Sequence, residues 1–341
     1  MSQPPTRRLS GTTLLRSVGE NLAPYRQVIE PAGQQVAIIR FAAAADDPPL
    51  WHLRMEAARV SAEQKVKAFS RLGFGVDHRL LTPPVAPSEF ADLLDAFNES
   101  RKIAAIIVQF PPPPHLTPLV QRLDPAKDID ALLEDRSPYP ACATADGIAR
   151  LVVPFTTDDP TVAVVGARGF VGRGVVRLLS DHGLQVRELD AGDDLRAVHQ
   201  ADIVVSATGQ PHILTPDHIS PHHRLVVDSG FMPRPDGSVA GDVRPDAATI
   251  PQYVTPVPGG VGPVEMAVLM DRIVRQEADP GLKPWQVPQV PYLTRHQVEA
   301  RPAPAAQRPT LPTPTPGHRR SDQWRVAPPA GPDRRSGGLS R

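Results

Sequence analysis

The sequence predicts two α/β domains, the second a Rossmann-like parallel sheet, with a ligand cleft between them and a disordered C-terminal tail. Three observations lead there. Short β-branched or apolar runs alternate with longer amphipathic ones through both halves, as in parallel sheets covered by helices on both faces. The apolar run 162–165 passes through a glycine-rich turn straight into a helical pattern, the entry of a dinucleotide-binding unit. Finally, residues 256–263 read PVPGGVGP. Three glycines and three prolines in eight residues cannot continue a helix or a central strand, so this is an irregular loop of fixed shape. Such a loop faces a ligand or forms a turn between domains.

Composition bounds the rest. A chain of 341 residues, 40% apolar, can bury one or two ordinary cores. Its 37 basic and 37 acidic residues cancel, which removes the whole-molecule attraction to nucleic acid or an anionic membrane. A small-molecule partner is expected instead. Cys142 is the sole cysteine, so no intrachain disulfide or thiolate metal cluster forms, and a reducing cytoplasm fits. No metal is expected. No basic-then-apolar leader pattern is present, and the apolar runs stop well short of the ~20 residues a membrane span needs.

In the first half, 36–41 reads as a buried strand and 61–72 as a helix. Lys65 and Lys67 lie two apart on that helix, so at most one points into a cleft. A lysine desolvated there can act as acid, base or polarising cation, although most helical lysines are simply solvated. The strand 103–109 ends in Gln109, followed after Phe110 by four prolines, so its amide is held at the strand end by a stiff loop. Asp128 and Asp130 flank an apolar residue and share one side if extended. Asp128 reads as solvated surface.

In the second half, strands are expected at 162–165, 185–189, 202–206 and 225–228, with a helix over 171–182. Gly166, Ala167, Arg168 and Gly172 form the strand-to-helix turn. Its glycines let the backbone approach a pyrophosphate, which the N–H groups of the helix start neutralise. Asp190 ends the next strand where a carboxylate would meet the adenine ribose. The cofactor is therefore NAD or NADP, and Asp190 favours NAD because it repels a 2′-phosphate, with Arg168 offsetting it in part. Thr208, Gly209 and Phe231 follow strand ends that line the crevice of an open α/β sheet; taken singly they read equally as turns. A helix follows the 256–263 loop, starting at Pro263.

Taken in order, these segments resemble the bifunctional methylenetetrahydrofolate dehydrogenase/cyclohydrolase family over residues 9–276. The pieces that carry the resemblance are 106–112 (family pattern IIVQLPLP), 125–130 (PxKDVD), 164–172, 201–209 (QADIVVxAxG), 241–243 and 255–263 (TPVPGGVGP). The last is close to diagnostic. The resemblance implies that Lys65 is the catalytic lysine, Gln109 its hydrogen-bonding partner and Asp130 the carboxylate holding the pterin. Pro256, Gly259 and Gly260 would shape the folate site, with a tetrahydrofolate derivative as substrate. It also implies a homodimer paired through the cofactor domain.

The chain departs from the family pattern at several places. Ser61 stands at the family's tyrosine, which removes an aromatic face and a phenolic partner for Lys65; relative to the family an insertion at about 50–60 precedes this helix, and its Trp51 is a candidate replacement ring. Ala131 stands where the family has glycine, 141–145 replaces a Pro-Cys-Thr-Pro run, and Arg168 aligns with a serine. A second reading, motivated by Ser61 and the tail, is a catalytically impaired folate or nucleotide binder. The expected division is an N-terminal folate domain over 1–154, completed by a helix over 263–276, then a cofactor domain over 155–260. A Pro/Arg-rich tail covers 298–341.

Overall fold

β1 (Arg7–Arg8) departs at once from the expected division. In the computed structural model, which describes residues 5–287, it pairs in parallel with Tyr253 and Val254. Arg7 and Arg8 therefore belong to the second sheet, and not to the first domain. Two arginines carry no apolar pattern, so only their partner makes them a strand. The tail expected over 298–341 lies outside the described residues.

α1 (Gly11–Leu22) opens under a Ser10 cap whose side chain accepts from the Thr13 amide, and α2 (Arg26–Ala32) stops at left-handed Gly33. The first sheet follows: β2 (Gln35–Phe41), α3 (Pro49–Arg71), β3 (Gly75–Leu81), α4 (Pro87–Glu99) and β4 (Ile103–Val108). Its strands are parallel in the order β3-β2-β4. Val36, Ala37, Ile38 and Ile39 of the central strand are fully buried, as a continuous apolar run predicts.

α3 is 23 residues long and begins at Pro49, well before the expected 61. The segment 50–60 forms its N-terminal half. No apolar stripe announces it; instead Arg59 bridges Glu56 at 2.7 Å and Glu63 at 2.5 Å along the helix surface. Trp51 packs against the first-sheet core beside Phe41 and Leu81, away from the cleft, so it supplies no ring there.

α5 (Ala143–Val152) leads into the second unit: β5 (Thr161–Val165), α6 (Phe170–Asp181), β6 (Gln185–Leu189), β7 (Ile203–Ser206), β8 (Leu225–Asp228), the two-strand hairpin of β9 (Met232–Pro233) and β10 (Val239–Ala240), and β11 (Tyr253–Val254). Six strands form one parallel sheet in the order β1-β11-β8-β7-β5-β6.

α7 (Val261–Glu277) starts two residues before Pro263, with Gly260 at its N-cap. Its Leu269 and Ile273 share a core with Val18 of α1 and Phe69 of α3. Its Val261 and Val264 pack instead among Ile148, Val162 and Leu225 of the second unit. Burying one such side chain is worth ~1.5–3 kcal/mol, so one helix ties both cores together. No helix among the described residues is long and apolar enough to cross a membrane.

Candidate active site

The ends of β4, β7 and β8 and the loop before α7 enclose a cavity of about 790 Å³, a size suited to a small ligand. Ser61, Lys65, Gln109 and Asp130 line one side, while Thr208, Gly209 and Phe231 line the other. Pro256, Gly259 and Gly260 complete the wall.

Lys65 is 2% exposed, whereas Lys67 lies on the exposed face of α3. The Lys65 ammonium donates to Ser61 Oγ at 2.9 Å and to Glu265 Oε1 at 2.5 Å. Ser61, one helical turn back, thus supplies a hydroxyl partner where sequence reasoning saw only a loss. Gln109 makes a different bond from the one the resemblance implied: its Nε2 donates to the Ala58 carbonyl at 3.3 Å. With Glu265 and Ser61 holding the ammonium, the amide is turned to the α3 backbone.

Asp130 faces the cleft and accepts from the Ala143 amide at 3.0 Å. Its carboxyl is pushed up to about 6, by desolvation first; Lys65 opposes the rise and Glu265 adds to it. Asp128 is not solvated surface. It is fully buried and accepts the Leu132 and Leu133 amides at 2.9 Å each, because the chain turns there instead of running extended. Ala131 takes φ 51°, a left-handed conformation that favours glycine. Arg272, buried on α7, donates to the Ile129 and Ala141 carbonyls at 2.9 and 2.8 Å and so fixes both sides of this turn. The Cys142 thiol borders the cavity, but burial pushes it up to about 12, which leaves it a neutral, inert group.

The opposite wall rests on two buried carboxyls. Asp242 Oδ2 accepts from Ser206 Oγ at 2.8 Å and from the Thr208 amide and hydroxyl at 2.9 and 2.8 Å. Asp228 accepts the Gly230, Asp242 and Val243 amides at 2.9 Å each. Burial, then the neighbouring Asp242, pushes Asp228 up to about 7. The loop to α7 is braced from the chain start, where the Thr12 amide donates to the Gly259 carbonyl at 3.1 Å. A Cβ on Gly260 would stand 2.6 Å from the Pro256 carbonyl oxygen, so the loop closes on itself only with glycine there.

The glycine turn lies beside this cavity. A Cβ on Gly172 would stand 2.9 Å from Ala167 Cα and collide with the Gly166 carbonyl, so α6 meets the turn only without a side chain. Gly169 caps α6 and offers no side chain to its amides, which leaves an anion-binding helix start. The Arg168 amide donates to Asp190 Oδ2 at 2.6 Å, and the Arg168 guanidinium stands 3.9 Å from the same carboxylate. These residues fit a dinucleotide.

Two family models match the chain one after the other. The tetrahydrofolate dehydrogenase/cyclohydrolase catalytic domain matches residues 11–130, and the NAD(P)-binding domain of the same family matches 142–279. The chain belongs to the tetrahydrofolate dehydrogenase/cyclohydrolase family. It is 29% identical over 282 residues to the bifunctional protein FolD of Sulfurovum sp. (strain NBC37-1), covering 78% of this chain and 97% of that protein. Among solved structures, FolD from Campylobacter jejuni is 25% identical with a TM-score of 0.67, over 81% of this chain and 99% of that one. Trypanosoma brucei FolD, complexed with NADP and an inhibitor, is 24% identical with a TM-score of 0.68, over 80% and 97%.

Within this family frame, sequence reasoning missed three residues that border the cavity. Glu265 was passed over inside the apolar run 264–270, although a lone carboxylate in a buried helix start is itself a signal. Asp228 read as a strand end. Phe170, at the first position of α6, faces Phe110 across the cleft, and no local pattern announces such a pairing.

Proposed function

We propose that this chain oxidises 5,10-methylenetetrahydrofolate to the 5,10-methenyl cation with NAD⁺ or NADP⁺ and hydrolyses that cation to 10-formyltetrahydrofolate. The observation that carries the reading is the desolvated Lys65 ammonium, set beside Asp130 in the cavity that also borders the strand ends of the dinucleotide sheet. When bound, the nicotinamide supplies the hydride acceptor. Hydride departure needs no protein base, so what the chain contributes there is alignment of the two ligands.

Asp130 is suited to accept hydrogen bonds from the pterin edge, and the rigid 256–260 loop excludes water from one face. Hydrolysis asks more of the protein. Water adds to the methenyl carbon and loses a proton, then the ring nitrogen takes one up as its C–N bond breaks, and Lys65 with Ser61 is placed to carry those protons. Asp190 favours NAD over NADP by its charge at the ribose position. The expected cytoplasmic setting and homodimer belong to the same reading, and light scattering checks the second.

Purified protein mixed with methylenetetrahydrofolate and either cofactor should raise the methenyl absorbance, and methenyltetrahydrofolate supplied alone should decay. Absence of turnover with both cofactors overturns the reading.

A further inference from the structure

We propose that Glu265 is a positioning residue that governs Lys65: it pairs with the ammonium and holds it aimed away from Gln109, favouring hydride transfer over hydrolysis. The proposal rests on the reading of Lys65 above.

The geometry is specific. Glu265 enters from α7, 200 positions away, and its Oε1 stands 2.5 Å from Lys65 Nζ, with the two side chains 15% and 3% exposed. Both line the cavity. An ion pair in so dry a place is costly to separate, so the carboxylate pins the ammonium where it stands. Held there, Lys65 is not free to turn to the Gln109 amide and the attacking water, which holds the hydrolytic half back. The oxidation gains from the same pair, since the product is a cation and a lone ammonium beside it would oppose its formation; the Glu265 carboxylate cancels that charge. The groups facing the pair are Ser61 on α3 and Asp130 and the Cys142 thiol on the turn before α5, with Arg272 of α7 acting on Asp130 and Cys142. Ser61 bonds the ammonium through a neutral hydroxyl, so the direct charged partner is Glu265.

Glu265→Gln removes the charge and keeps the shape. Measured separately at neutral pH, its oxidation of methylenetetrahydrofolate should fall while its hydrolysis of supplied methenyltetrahydrofolate rises, moving their ratio about tenfold or more, since a neutral amide holds the ammonium less firmly than a carboxylate does. A merely structural ion pair predicts that both rates fall together, and that outcome overturns the proposal. A second measurement needs no turnover: amine-directed acylation of Lys65 at pH 8, read by peptide mass spectrometry. Labelling should rise about tenfold in Glu265→Gln, whose neutral amide ties up the amine less firmly, and return toward the wild-type level in Glu265→Asp, which keeps the ion pair. Unchanged labelling in Glu265→Gln overturns the proposal. Wild-type protein inactive on both folates instead sinks the reaction assigned above, and leaves the labelling result to decide the role of Glu265.

Discussion

The ring of Phe110 lies against that of Phe170, with centroids 5.3 Å apart and planes 14° from parallel. Phe110 follows β4 of the first sheet and Phe170 is the first residue of α6, so the pair joins the lysine side of the cleft to the cofactor side. Phe170 also packs against the cores of both units, which makes it a rigid gauge of the distance between the two ligand sites.

Phe170→Ala should therefore raise KM for folate and for cofactor together. Loss of the stack alone is worth ~0.5–1.5 kcal/mol, a few-fold to roughly tenfold in kcat/KM. Steady-state kinetics with each ligand varied in turn checks it, and a change confined to one ligand would disprove the coupling.

Lys65→Met should lower hydrolysis of methenyltetrahydrofolate by ~10²–10⁴-fold, the usual worth of a positioned acid–base group. Oxidation should fall far less, because hydride transfer takes no proton from the protein. The Met variant also strands Glu265, so Lys65→Met combined with Glu265→Gln should melt higher than Lys65→Met alone, which differential scanning calorimetry can test.

Asp130 and Asp228 make stability fall as pH rises. Both carboxyls are pushed above their ordinary value, to about 6 and about 7, so the folded chain binds their protons more tightly than the unfolded chain. Their contribution is complete below about pH 4 and is lost as pH climbs through 6 and 7. Asp130→Asn should flatten the lower part of that slope and stabilise the ligand-free protein at pH 7.5 by on the order of 1–2 kcal/mol. Urea midpoints measured from pH 4.5 to 7.5 give the answer.

Asp190→Ser should shift preference toward NADP. The carboxylate is held in place by the Arg168 amide at 2.6 Å, so it cannot swing away from a 2′-phosphate. Removing it, with the Arg168 guanidinium left behind, should raise kcat/KM for NADP relative to NAD by at least about tenfold, or ~1.4 kcal/mol. Parallel assays with the two cofactors decide it.

Much of the architecture was legible because apolar runs and glycine spacing act locally. The strands at 185–189 and 225–228 were bounded to the residue, and the turn at 166–172 lies where its glycines put it. The N-terminal half of α3 was not, because ion pairs on its surface stand in for an apolar stripe. Asp128 was misread for a related reason: a short acidic segment looks solvated until the backbone amides that cap it are in view.

The sequence by itself determined two parallel sheets, a glycine-rich strand-to-helix turn and an irregular loop before the last helix, since each depends on residues within a few positions of one another. Only the tertiary structure decided who pairs with Lys65. Glu265 and Ser61 reach the ammonium while Gln109 turns to the Ala58 carbonyl, because the docking of α7 against α3 fixes which buried charge is neutralised by which. No local pattern encodes a choice made across 200 residues.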